Sequence, residues 1–276
     1  MPSQLEEFTR FGVLTRASPL PGDYCKHNLQ EEFLVEERIK TLVKFIARDV
    51  KWHHDQGHCI SPFDHRNIEI NVHGHARIIG VGPIEKNEIN IKKNYLDLHD
   101  VVRNTVFRNY SFQQQVPAEW RMLLLLMKRE CIGKEYLICN NVSMMPLQIR
   151  MMFFYLGYEH VTFSLSRTDP DKQDRILKRL PFLKTWPDML KGNILLEESF
   201  AHKTHDLKTG QGFFTYYRDT NKHRMDRCHL ISEVGRYTGK EFEKILQVRY
   251  GMYLALFQEA LHDEEELEGL EPHAIF

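Results

Sequence analysis

Apolar residues in this chain recur mostly at helical intervals. From Phe33 to His54 the positions Leu34, Ile39, Leu42, Val43, Ile46 and Val50 share one face, which predicts an amphipathic helix with that face buried. Trp120 to Met127 is apolar nearly all round and predicts a helix deep in a core. Val116-Pro117 stands at its entry, where a missing N–H costs little. Met144, Met145, Met151, Met152, Phe153 and Phe154 form a cluster read as core, because Met fills irregular gaps. Further helices are predicted over roughly 188–200, 207–221, 228–235 and 240–261.

The breaks in this pattern mark the rest. Residues 1–22 read as an irregular leader ending in the breaker cluster Ser18-Pro19-Leu20-Pro21-Gly22. Asn28 and Glu31 have the spacing of a capping box. Gly57 to Ile70 reads as an irregular loop leading into one small β-hairpin, closed by Ala76-Arg77-Ile78-Ile79-Gly80-Val81-Gly82. Ser166 to Gln173 is a polar turn, and 263–276 is an acidic tail in which Asp263-Glu264-Glu265-Glu266-Leu267-Glu268 is expected to be solvated. The fold expected is mainly α.

A chain of 276 residues can bury an ample core in one large or two modest domains. Its formal charge of −1 gives no bulk attraction to nucleic acid or membrane, and neither DNA nor a membrane is expected as a partner. Five cysteines (Cys25, Cys59, Cys131, Cys139, Cys228) show no paired metal spacing, and the odd count argues for free thiols in a reducing compartment. Met1 to Arg16 lacks a signal-peptide core, and nothing reaches the ~20 apolar residues that span a bilayer. A cytoplasmic location is expected.

Helix, loop, hairpin and Gly-ended turn, in that order, resemble the catalytic centre of a protein kinase's C-terminal lobe. Asn67 stands at the family's catalytic-loop Asn, and His54 at the end of the preceding helix. The family's His-Arg-Asp triplet then falls on Ile60, Ser61 and Pro62, and its Asp-Phe-Gly triplet on Gly80, Val81 and Gly82. Phosphoryl transfer needs one carboxylate to orient the attacking hydroxyl and another to hold Mg²⁺. Pro62 and Gly80 carry no side-chain oxygen, and Asp64, at the family's Lys position, is a poor substitute. Asn67 is left as a vestigial cofactor ligand, so no cofactor is expected and the chain is expected not to be a kinase.

The likeness extends further. Asp23 to Glu31 resembles a kinase hinge, with no N-terminal lobe expected before it, and Cys25 with Leu29-Gln30-Glu31 resembles the stress-sensor kinase–ribonucleases of the unfolded-protein response. Asp97 matches the Asp of a kinase lobe's central helix, and Ile176 to Phe182 with Trp186 resembles the end of such a lobe. Between Gly82 and Tyr95 there is no room for a normal activation segment. The domains so implied are a kinase-like lobe over 23–186 and a kinase-extension nuclease (KEN) domain over 187–262.

Gly212-Phe213-Phe214-Thr215-Tyr216-Tyr217-Arg218-Asp219, followed by His223, looks like the signature of the KEN family found in the inositol-requiring stress sensors and ribonuclease L. Arg218 and His223 match the family's Arg and His in identity and spacing, Asp219 replaces its Asn, and His205 falls at its Tyr. The resemblance implies metal-independent RNA cleavage, with His223 as general acid, Arg218 as phosphate clamp and His205 as base or supporting donor. Asp219 opposes this, since a carboxylate repels phosphate and competes for the Arg218 fork. Two functions stay open: an endoribonuclease or RNA-binding module of pseudokinase–ribonuclease type, or a non-catalytic scaffold that dimerises with itself or with related chains.

Overall fold

The computed structural model describes residues 2–17, 20–24, 33–180, 188–201, 206, 209–222 and 238–270. The chain divides into two units, residues 1–16 with 32–145 and residues 17–31 with 146–276. The division falls at 145/146, and the boundary expected at 186 lies outside the described residues.

The first unit opens with a helix, α1 (Gln4–Thr9), inside the segment expected to be irregular. The reason is a capping box. Glu6 N–H donates to the Ser3 hydroxyl at 3.2 Å, and Ser3 N–H donates to the Glu6 carboxylate at 2.8 Å. β1 (Leu14–Arg16) pairs antiparallel with β2 (Phe33–Val35). Phe33 to Val35 is therefore strand, and the amphipathic helix starts only at α2 (Glu37–Asp55). Its Ile39, Leu42, Val43, Ile46 and Val50 are fully buried, as their spacing predicts.

β3 (His58–Ile60), β4 (Ile68–Ile70), β5 (Ala76–Ile78) and β6 (Pro83–Glu85) follow, with β3 paired to β6 and β4 to β5, both antiparallel. The single hairpin expected is thus corrected to three two-stranded sheets among the described residues. Three-residue strands are too short for a period-two pattern to register. α3 (Glu88–Val101) runs into a π-helical turn at Val102–Val106, and α4 (Ala118–Arg129) and α5 (Glu135–Cys139) complete the unit. Trp120, Leu123, Leu124 and Met127 of α4 are buried, but Leu125 is exposed, so one side of this helix faces water.

Cys59, Cys131 and Cys139 are free, buried thiols, whereas Cys25 and Cys228 lie outside the described residues. Burial pushes the Cys139 thiol up to about 12, and its sulfur rests on the Ala47 carbonyl at 3.2 Å. Native alkylation with iodoacetamide at pH 8, read by peptide mass spectrometry, should leave Cys139 unmodified until the protein is denatured.

The second unit contains α6 (Leu147–Glu159), a π-helical turn at His160–Leu165, α7 (Ser166–Thr168), α8 (Pro170–Arg179), α9 (Ile194–Ala201), α10 (Gly210–Lys222) and α11 (Gly239–Asp263). The polar turn expected at 166–173 is largely helical. Lys172 N–H donates to the Asp169 side chain at 2.9 Å, and Pro170 occupies the first turn of α8. The helix predicted over 228–235 lies outside the described residues.

Aromatic packing explains why α6 belongs with the later helices. Phe154 of α6 lies 4.2 Å from Tyr217 and 5.3 Å from Phe214 of α10, and 6.0 Å from Phe257 of α11, between ring centroids. Gly157 lets α11 approach closely, since a Cβ there would meet the Phe257 ring at 2.7 Å. Leu20 to Tyr24 joins this unit too: Ile194 N–H donates to the Gly22 carbonyl at 2.9 Å, and Arg249 pairs with Asp23 at 3.3 Å.

The expectation of a solvated acidic tail also needs correcting. Glu264 pairs with Arg175 at 2.8 Å, and Glu266 takes both Lys172 at 2.5 Å and His160 at 2.7 Å. Burial alone would raise the Glu266 carboxyl, but Lys172 and His160 outweigh it and hold the group below its ordinary range. Among the described residues no helix is long and apolar enough to cross a membrane.

Candidate functional site

The loop between α2 and α3 is built from its own short side chains. Gly57, at φ +85°, ends the helix in a conformation that favours glycine. After β3, Ser61 N–H donates to the Gly82 carbonyl at 2.8 Å, and Gly82 N–H returns to the Ser61 hydroxyl at 3.1 Å. A 3₁₀ turn at His65–Asn67 is capped by Asp64, which accepts the Arg66 N–H at 2.8 Å.

Asn67 closes this turn. Its amide oxygen takes the Asp64 N–H at 3.0 Å, and its amide nitrogen donates to the Ile79 carbonyl at 3.0 Å. The residue assigned as a vestigial cofactor ligand is thus a clip between the loop and the end of the hairpin. Asp64 is held as firmly, with Arg66 Nη2 at 2.5 Å. The Arg66 side-chain hydrogen bonds, then the Arg66 N–H, lower the Asp64 carboxyl from an ordinary 3.8 to about 2.

A carboxyl depressed on folding adds stability above its unfolded pKa and loses it as pH falls through the folded one. For Asp64 that window runs from 3.8 down to about 2, and the pair is exposed enough to contribute little to global stability. A ¹³C-carboxyl titration should give a midpoint near 2, returning towards 3.8 in Arg66→Ala.

Beneath the loop, α3 supplies two anchors. Asn94, fully buried, takes the Ile60 N–H at 3.1 Å and donates to the Ile60 carbonyl at 2.8 Å. Its oxygen also lies 3.1 Å from His54 Nε2, which must be the donor because the oxygen can only accept. Burial lowers the His54 pKa, keeping the ring neutral. One turn on, Asp97 accepts the Phe63 N–H at 3.2 Å. Asn94 carries the tighter grip on the loop, and nothing in its sequence surroundings marks it out.

The second candidate lies at the end of α10. Phe213, Phe214, Tyr216 and Tyr217 are buried, and Tyr216 donates its hydroxyl to the Leu196 carbonyl at 3.1 Å. Next along the helix, Arg218 Nη1 pairs with Asp219 Oδ1 at 2.5 Å, and its guanidinium carbon sits 5.6 Å from the centre of the Tyr158 ring. Asp219 is 1% exposed, whereas the Arg218 side chain keeps 20%. The structure therefore brings Arg218 and Asp219 together. His205 and His223 lie outside the described residues. Tyr158, on α6, is a neighbour that sequence spacing gives no means of finding.

Among the described residues no group of three or more His, Cys, Asp or Glu side chains could hold a metal ion. Compared with known proteins, the chain matches no family model and no curated protein.

Proposed function

We propose that this chain is a degenerate relative of the pseudokinase–ribonuclease group that works as a non-cleaving binding and dimerisation module. In this reading the residues around Asn67 are a kinase-type loop without phosphotransfer chemistry, and α9 to α11 are helices of a KEN-type domain. The observation that carries it is the Arg218–Asp219 pair: the fork that would clamp a phosphate is already engaged by a buried carboxylate next to it in the chain. The loop supports the same view. Pro62 and Gly80 offer no side-chain oxygens, and the Asn67 amide is used at both ends to close the turn.

A second reading, an endoribonuclease using Arg218 as clamp with His223 and His205 as acid and base, is favoured by the residual exposure of the guanidinium. A labelled RNA stem-loop separates the two. The wild-type protein should give no cyclic-phosphate product, and Asp219→Asn should give the first detectable one by freeing the fork. A wild-type product that disappears in both Arg218→Ala and His223→Ala would instead establish the nuclease. No transfer of phosphate from ATP is expected in either case.

A further inference from the structure

A cavity of about 320 Å³ opens in the first unit between the loop before the 3₁₀ turn and the C-terminal half of α3. Since a water occupies roughly 30 Å³ of liquid, this space suits a solute of several heavy atoms. Its walls combine three carboxylates (Asp64, Asp97, Asp100) with the Phe63 ring and the Val101 side chain. Two oxygens at the cavity make no hydrogen bond within the described residues, although neither is sealed from water. Thr105 lines the cavity while only 7% exposed, and its hydroxyl has no partner among the described residues. Asp97 uses one oxygen for the Phe63 N–H, and the other has no hydrogen bond among the described residues.

Asp64 is already paired with Arg66 at 2.5 Å and Asp100 lies 2.8 Å from His99 Nδ1, which leaves Asp97 without an ion pair among the described residues. Burial pushes the Asp97 carboxyl up, the Phe63 N–H and Lys93 oppose this, and Asp100 and Asp64 add to it. A cation in the cavity would give Asp97 the partner it lacks. The donor set does not favour a metal ion, because no metal-holding cluster occurs among the described residues. A planar or three-donor organic cation fits better: carboxylate and hydroxyl oxygens take its N–H groups, the ring takes its charged face, and the Val101 side takes an alkyl stem.

We propose that this cavity binds a guanidinium or primary ammonium group on an alkyl stem, the cationic end of an arginine or lysine side chain or of a free alkylamine. The proposal stands apart from the functional reading above. Calorimetric titration of the full chain at low salt with agmatine, N-acetyl-arginine N-methylamide and the uncharged citrulline counterpart tests it. At least one of the two cations should saturate a single site, while the citrulline compound should not. Binding of agmatine points to a free amine, and binding of the amide alone points to a residue within a peptide.

Asp97→Asn keeps an acceptor for the Phe63 N–H and should weaken binding at least tenfold, as should Thr105→Val. Asp100→Asn, at an exposed position, should weaken it several-fold, and it decides the matter if circular dichroism shows either other variant unfolded. Absence of saturation by both cations, equal binding of the citrulline compound, or unchanged affinity in the folded variants would overturn the proposal.

Discussion

Replacing Glu243 with alanine is expected to destabilise the second unit by about 3–5 kcal/mol, the usual cost of removing one partner from a buried ion pair. Glu243 on α11 and Arg150 on α6 are both fully buried, and Arg150 Nε donates to the Glu243 carboxylate at 3.1 Å. Tyr217 of α10 donates its hydroxyl to the same carboxylate, 2.9 and 3.0 Å from its two oxygens. One acidic group thus ties three helices, and its loss removes the Nε partner of a buried guanidinium.

The comparison that isolates the charge is the triple change Arg150→Met, Glu243→Leu and Tyr217→Phe. Apolar groups of similar volume avoid the desolvation of both ions, so the triple variant should lie closer to wild type than Glu243→Ala does. Urea unfolding followed by circular dichroism provides the measurement. A loss below about 1 kcal/mol in Glu243→Ala would mean that the pair contributes little. Because total stabilities are typically about 5–15 kcal/mol, the expected loss is a large share.

The second large effect is expected at Asn94. Asn94→Leu fills the volume but leaves both the N–H and the carbonyl of Ile60 without their side-chain partner, along with His54 Nε2. Each buried group left unsatisfied costs about 1–3 kcal/mol, so a loss of about 2–5 kcal/mol is expected, read as a lower urea midpoint at unchanged slope. Asp97→Asn is the internal control, because its amide oxygen can still accept the Phe63 N–H and its loss should be well under half as large. Equal losses in the two variants would refute the separate role given to Asn94.

These two anchors also show what a reader of the bare chain can see. The buried face of α2 is legible because five of the named apolar residues, Ile39 to Val50, repeat at helical spacing, and no tertiary contact is needed to place them. The α1 cap was equally open to reading, since Ser3 and Glu6 carry the spacing themselves. Arg150 and Glu243 are different. They stand 93 residues apart, and only the packed helices make them neighbours. Asn94 looks like any polar residue on an amphipathic helix until the β3 backbone is laid against it. At the α10 site the conflict between Arg218 and Asp219 is visible because the two are adjacent in sequence, whereas the Tyr158 ring beneath the guanidinium comes from another helix.

The interleaving of the two units along the chain bears on how the protein can be made. The second unit draws on residues 17–31 as well as 146–276, and the first on 1–16 as well as 32–145. During synthesis the first unit can close once residue 145 has left the ribosome, but the second must wait for the last helix while its earliest strip stays uncommitted. Cutting the gene at 145/146 would therefore deliver a C-terminal fragment lacking Gly22 and Asp23, the partners that Ile194 and Arg249 hold in the intact chain.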